Sequence, residues 1–296
     1  MEFSIAVLTD ADLPAVVDLC REALDLPEDA VEADRIVARL REQPGIAFAA
    51  TVDGELAGVV LGSNSRRDDS TGHIDLIAVR PAARRQGIGR ALLARAEGAL
   101  AGRGAVEVLL AGNPPYYAWP GIDVRYTPAV CAANALGYEQ DRTAWNMTAD
   151  LTTLRPTEAA EERLAASGVT VRRADEGDVP ALVDFAQANF SDSWAGEVSD
   201  SIGRPGAGCH IALREAVVLG FAAYGSSRPS WFGPMGTAPA AQGLGIGGVL
   251  LRRCLHDLRE AGYDRAQIGW VGPVPFYASA VGARIERVFF LYSKQL

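Results

Sequence analysis

The chain has 296 residues, enough for two domains that each bury a core, with a soluble composition and a net charge of −9. It has no basic run and no basic-aromatic interleaving, which argues against nucleic acid or an acidic membrane as the main partner and leans toward a cationic or amine-bearing ligand. Cys20, Cys131, Cys209 and Cys254 form no close pair and His73, His210 and His256 have no ligand spacing, so neither a disulfide framework nor a metal site is expected.

In chain order, Phe3 to Leu8 alternates and predicts a strand, after which Thr9 and Asp10 can cap a helix from Leu13 through Leu24. A second helix is expected over about Ala30 to Arg41, ended by Pro44-Gly45. Ile46 to Val52 and Leu56 to Leu61 are apolar runs joined by Asp53-Gly54, a hairpin signal. The polar loop Ser63 to Gly72 leads to the strand Ile74 to Val79, then to Arg84-Arg85-Gln86-Gly87-Ile88-Gly89-Arg90 and a helix to about Leu100. A strand Val106 to Leu110, a helix Pro128 to Leu136 capped by Thr127, and a strand around Trp145 to Leu151 finish the first half. Between Asn113 and Tyr126 lies a loop rich in proline and aromatics, with Tyr116, Tyr117, Trp119 and Tyr126; it reads equally as a binding loop or as an aromatic cover on a core edge.

Thr152 to Ser167 is polar and alanine-rich, a linker helix starting near Pro156. The second half of the chain repeats the first. Asp12-Leu13-Pro14-Ala15-Val16-Val17-Asp18-Leu19 is echoed by Asp178-Val179-Pro180-Ala181-Leu182-Val183-Asp184-Phe185 at an offset of 166, and the glycine loop by Gln242-Gly243-Leu244-Gly245-Ile246-Gly247 at an offset of 158. The reading is therefore two copies of one mixed α/β unit, with domains at 1–151 and 168–296 and a linker at 152–167. The second copy is expected to hold strands near Cys209 to Arg214, Val217 to Tyr224 and Trp231 to Thr237, and a helix to Arg259. A strand Ala266 to Val271, a helix Pro275 to Val281 and a last strand Ile285 to Tyr292 complete it.

A strand, a glycine turn and a helix together make a place for an anion, because glycine lets the backbone approach closely and the helix start leaves N–H groups free. Neither loop has the Gly-Lys-Ser/Thr of a nucleotide P-loop, and Lys294 is the chain's one lysine. Each loop comes after a hairpin late in its copy, where a dinucleotide fingerprint does not occur.

Arg84-x-x-Gly87-x-Gly89 and Gln242-x-x-Gly245-x-Gly247, each between a strand and an amphipathic helix, resemble the acyl-CoA signature of the GNAT superfamily of N-acyltransferases. The resemblance covers nearly the whole chain as two tandem domains. It implies mixed, mostly antiparallel sheets with splayed central parallel strands, flanked by helices. It also implies acetyl-CoA as cosubstrate, held in the first copy by Val79, Arg84, Gln86, Gly87, Ile88, Gly89 and Arg90, and in the second by Thr237, Gln242, Gly243, Leu244, Gly245, Ile246 and Gly247. Pro239-Ala240-Ala241 stands where the family often has basic residues, so the second loop should hold phosphate less tightly.

The implied chemistry is attack of a neutral amine on the thioester carbonyl, which requires a base or water relay, since an alkyl ammonium has a pKa of about 10. The family often protonates the leaving thiolate with a tyrosine, and Phe276-Tyr277-Ala278 resembles that segment. The first copy has Cys131-Ala132-Ala133 there, without a tyrosine. This places transfer in the second copy with Tyr277 as acid, and leaves Asp75 and Glu215 as candidate bases. Trp231 joins the loop aromatics as a candidate contact to the acceptor. The expected acceptor is a primary amine of a small polar molecule, an amino sugar or aminoglycoside-like amine first. A non-catalytic acyl-CoA sensor and a protein or peptide N-acetyltransferase are the alternatives. No nucleic acid, membrane or metal is expected, the cytoplasm is the expected location because no leader or bilayer-length stretch occurs, and the oligomeric state is left open.

Overall fold

The structure is a computed structural model and describes residues 2–296. The chain forms two compact units, one running to Ala144 and completed by Val288–Leu296, the other Trp145–Arg287.

The first unit contains β1 (Ser4–Val7), α1 (Leu13–Ala23), α2 (Pro27–Ala30), α3 (Ala33–Arg41), β2 (Ile46–Val52), β3 (Glu55–Asn64) and β4 (Thr71–Val79). It continues with α4 (Ile88–Ala101), β5 (Glu107–Leu110), β6 (Ile122–Asp123), α5 (Thr127–Ala135) and the start of β7 (Glu139–Asp150). The second contains α6 (Glu158–Ala166), β8 (Val169–Arg173), α7 (Val179–Asn189), α8 (Asp192–Ser201), β9 (Gly208–Arg214) and β10 (Val217–Tyr224). Then come β11 (Trp231–Thr237), α9 (Ile246–Glu260), β12 (Arg265–Ile268), α10 (Val274–Val281) and β13 (Arg284–Gln295).

Each unit builds the same sheet. In the first the order is β1-β2-β3-β4-β5-β13, antiparallel except where β4 and β5 run parallel, with β6 pairing β13 at Phe289 and Phe290. In the second it is β8-β9-β10-β11-β12-β7, with β11 and β12 parallel. The sixth place in each sheet is thus taken by the strand that the sequence repeat assigns to the other copy.

Alternation along β2 shows how the first sheet divides its faces. Ile46, Phe48 and Ala50 join Ile88, Leu92, Ala96 and Leu100 of α4, whereas Ala47 and Ala49 join Val16, Leu19 and Cys20 of α1 and Ile36 and Leu40 of α3. Period-2 alternation in a strand with two covered faces therefore reads as apolar throughout, and only residue size distinguishes the sides.

Two irregularities matter for function. The parallel ladder between β4 and β5 covers only Thr71 to His73, although β4 runs on to Val79, so the two strands part from Ile74 onward. Opposite β3, Leu61 pairs with Leu76 and Gly62 with Ile74, which leaves Asp75 as the extra residue of a β-bulge. In the second unit β11 likewise pairs β12 only at Trp231 and Phe232 and continues to Thr237.

The expected elements occur, several strands with ends three residues away, and β7 starts at Glu139, six residues before the expected Trp145. The expected helix Ala30 to Arg41 is two, Pro27–Ala30 and Ala33–Arg41. Thr127 is the first helical residue of α5 rather than its cap, a place held by Tyr126. α8 had no apolar signal to give it away, because its buried side includes Ser193, Glu197 and Ser201 beside Ala195 and Val198. Among the described residues no helix is long and apolar enough to cross a membrane.

Candidate functional site

Where β4 and β5 part, the first unit encloses a cavity of about 1000 Å³. Its lining includes Asp75 to Val79 of β4, the loop residues Arg84, Arg85 and Gly87, the start of α4, Tyr117 to Trp119, and one side of α5.

Asp75 is the acidic centre of this wall. The bulge breaks the strand's regular alternation and turns the carboxyl toward Ser63, whose hydroxyl donates to Asp75 Oδ2 at 2.8 Å. Asn113 Nδ2 in turn donates to Ser63 Oγ at 2.9 Å and to the carbonyl of Asn64 at 3.0 Å. Asp75 Oδ1 is buried and accepts no hydrogen bond among the described residues. Burial raises the carboxyl from its usual range to about 8, and the Ser63 hydrogen bond offsets only part of that. A carboxyl poised near neutral pH beside an open cavity is suited to holding and moving a proton.

At the other end lies the glycine loop. Gly87 is the residue before α4, with φ 87°, and a side chain there would meet nothing within 4 Å but would be strained by the left-handed backbone. Gly89 has space beside it, the nearest atom to an added Cβ being Val79 Cγ2 at 3.7 Å. The helix start therefore stands open to an anion, with Arg85 and Arg90 exposed on the loop and helix. Arg84 is committed elsewhere: its guanidinium donates to the carbonyls of Val79 and Ala23 and pairs with Asp25 at 3.0 Å, tying the loop to the end of α1. Gln86 donates to the carbonyl of Ala82.

Of the candidate acceptor contacts, Tyr117, Trp119 and Tyr126 line the cavity. Tyr116 lies instead under the guanidinium of Arg39, 4.5 Å from the ring centre. Trp231 belongs to the second unit, buried on β11 under Arg228.

The second unit keeps the loop but packs the space behind it. Gly243 and Gly245 hold φ 85° and 86°, and α9 starts at Ile246 as α4 starts at Ile88. An added Cβ on Gly247, however, would lie 3.3 Å from Met235 Cε, 3.5 Å from Phe276 Cζ and 3.7 Å from Thr237 Oγ1. Gln242 and Leu244 are exposed, and the loop itself carries no arginine, although the Arg252 guanidinium lies beside Gly248 in the first turn of α9. Tyr277 is 7% exposed, its ring edge-on to Phe232 and Phe276, in the core under α9. Glu215 occupies the exposed turn between β9 and β10 at φ 56°, the place of Asp53 between β2 and β3.

Counting back from Gly137 and Gly282, which come after α5 and α10, sets Cys131 and Ala132 against Phe276 and Tyr277. Cys131 and Ala132 both line the first unit's cavity. Small residues there leave open the space that two aromatic rings take in the second unit. Sequence reasoning passed over Ser63, Asn113 and Arg85; a polar pair flanking the loop 65–72 was the signal for the first, and nothing in the sequence linked Asn113 to it.

The sequence model of the Acetyltransferase (GNAT) family matches residues 13–117 and 179–278, more than half of the chain. Among solved structures the chain is similar to a GCN5-related glucosamine N-acetyltransferase region of a fungal multi-domain GH3 β-N-acetylglucosaminidase, with TM-score 0.78 and 19% identity over 99% of this chain. It spans only 38% of that fungal chain. It is also similar to a tandem GNAT protein from the clavulanic acid biosynthesis pathway, with TM-score 0.72 and 17% identity, covering 99% of this chain and 98% of that one. A GCN5-related N-acetyltransferase from Sphaerobacter thermophilus gives 0.73 and 19%, covering 99% and 95%. At these identities the likeness is one of fold. No curated protein sequence matches the chain at a significant level.

Proposed function

The chain belongs to the acetyltransferase (GNAT) family, and from that premise we propose that its first unit transfers an acetyl group from acetyl-CoA to the primary amine of a small molecule. The observation that carries this is Asp75, a carboxyl near neutral pKa with one unpartnered oxygen, set in the wall of a cavity that also reaches a glycine-capped helix start.

The residues fit the coenzyme. Gly87, Ile88 and Gly89 present an unobstructed helix start for its phosphates, Arg85 and Arg90 add positive charge, and Val79 lines the way along β4. When bound, the coenzyme supplies an activated thioester carbonyl, so that a C–N bond replaces the C–S bond and the thiol leaves with a proton. The chain's own part is proton handling and orientation. An acceptor amine meets in Asp75 a carboxyl that gives up its proton at about pH 8 and above that can take one from the ammonium, and Ser63 with Asn113 fixes which carboxyl oxygen remains for it. Trp119 and Tyr126 form an apolar wall that keeps water from the amine.

The Tyr277 reading places transfer in the second unit, and Tyr277→Phe decides between them. Turnover within about twofold of wild type is expected; a tenfold loss with coenzyme binding intact moves the chemistry to the second unit. The activity itself is tested by thiol release from acetyl-CoA over a panel of amines that includes amino sugars, monoamines, diamines and lysine peptides. Coenzyme binding without release on any of them favours the sensor reading instead.

A further inference from the structure

The chemical class of the acceptor follows from what surrounds Asp75, an inference that rests on the reading of the first unit as an amine acetyltransferase. The carboxyl bonds Ser63, which lies two residues beyond Leu61 on β3 and so on the same face, the face covered by α1. On that face the cavity is walled by Leu24, Leu76, Ala118, Trp119 and Tyr126, all members of the apolar cluster under α1 or packed against it. Three polar groups nearby already have partners. Tyr126 donates its hydroxyl to Asp29 Oδ2 at 3.0 Å, Asp123 accepts from the backbone and guanidinium of Arg125, and the carbonyl of Ala111 pairs with His73 Nδ1 at 2.9 Å.

We infer that the acceptor is a monoamine with a compact apolar or aromatic body, its one amino group set against the free oxygen of Asp75, rather than a polyhydroxylated amino sugar. A sugar would bring several hydroxyls against aromatic and aliphatic carbon, most of them losing water without gaining a partner. A diamine would bring a second charge, while Asp25 is held by Arg84 and Asp123 by Arg125. A phenyl or alkyl body, in contrast, exchanges water for Trp119, Leu76 and Leu24.

The test uses the wild-type full chain with saturating acetyl-CoA and compares kcat/KM for 2-phenylethylamine, n-alkylamines of increasing length, putrescine, ethanolamine and glucosamine. Expected is at least a 100-fold preference for 2-phenylethylamine over glucosamine and putrescine, and a rise of about fourfold per added methylene along the alkyl series until the cavity is filled. Glucosamine equal to or better than 2-phenylethylamine overturns this acceptor class while leaving the acetyltransferase reading in place. A flat alkyl series overturns it too, and no turnover with any amine overturns both. A second measurement keeps the assignment local: Trp119→Ala should reduce the preference for 2-phenylethylamine over ethanolamine by at least tenfold, with the melting temperature recorded alongside. An unchanged preference in a folded variant removes Trp119 from the acceptor wall and overturns the assignment of that wall.

Discussion

Replacing Asp75 by Asn is expected to lower turnover on any accepted amine by roughly 100- to 10,000-fold, the usual worth of a positioned proton acceptor, while the affinity for acetyl-CoA stays within about twofold. Asn keeps an oxygen for Ser63 to donate to and nearly the same volume, so the fold has no reason to change. The same substitution carries a second, independent expectation. Burial raises the carboxyl to about 8 in the folded protein, whereas an unfolded chain returns it to the ordinary range near 3.8. Below about pH 4 both states hold the proton, and Asp75 costs the fold nothing electrostatically. Between about pH 4 and pH 8 the native state keeps a proton that the unfolded state releases, so this residue removes stability at about 1.4 kcal/mol per pH unit as pH rises. Asn has no such dependence. The variant should therefore match wild type near pH 4 and exceed it by a few kcal/mol at pH 8, read from urea unfolding across that range. A stability difference independent of pH would show that the carboxyl is ionised in the folded protein, and would remove the reason for treating it as a proton acceptor tuned to neutral pH.

A proposed proton acceptor that destabilises its own fold is a familiar trade, and here its source is geometric. The β-bulge sets a carboxylate where a strand with two covered faces would carry an apolar side chain, and the parting of β4 from β5 keeps that place from closing. Nothing in Ile74-Asp75-Leu76 announces a bulge, because a bulge is a property of register against β3 and not of local propensity. The sequence could offer Asp75 only as a residue on the strand before the loop.

The elements themselves were legible because each had a strong local cause: Asp53-Gly54 for the hairpin, glycine spacing for the starts of α4 and α9, and the echo of Asp12-Leu13-Pro14 in Asp178-Val179-Pro180 for the duplication. The exchange of final strands was not legible, since β7 and β13 have the same alternation wherever they pair. The two readings of which unit transfers the acetyl group differ on a matter of volume. Counted as chemistry, Tyr277 favours the second copy. Counted as space, the pair Phe276 and Tyr277 occupies what Cys131 and Ala132 leave free, and Met235 closes on Gly247 from β11. On the proposed reading the motif persists in the repeat as a helix start with less room behind it. Cysteine serves as packing in both units, with the thiols of Cys20 and Cys209 pushed up to about 12 by burial.

Gly89→Asp separates coenzyme binding from folding more cleanly than any change at Gly87, where a side chain would strain a left-handed backbone. Gly89 is the second residue of a 14-residue helix, and its new Cβ would have only Val79 Cγ2, 3.7 Å away, as a neighbour. A carboxylate in the first turn is favourable to the helix by about 0.3–1 kcal/mol, so the melting temperature should hold or rise. The same charge sits where the phosphates of the coenzyme are proposed to bind, and repulsion in place of attraction should weaken acetyl-CoA at least 100-fold, about 2.7 kcal/mol, measured by titration calorimetry. Turnover should fall with it at any coenzyme concentration that saturates wild type. In the second unit Gly247→Asp meets Met235 and Phe276 within 3.5 Å, so it tests packing as well as charge, and its expected signature is the reverse: a lower melting temperature with turnover retained while the protein is folded. If Gly89→Asp keeps full turnover and Gly247→Asp loses it at a temperature where both are folded, the open cavity of the first unit is not where the acetyl group moves, and the packed loop of the second must open in solution to let it pass.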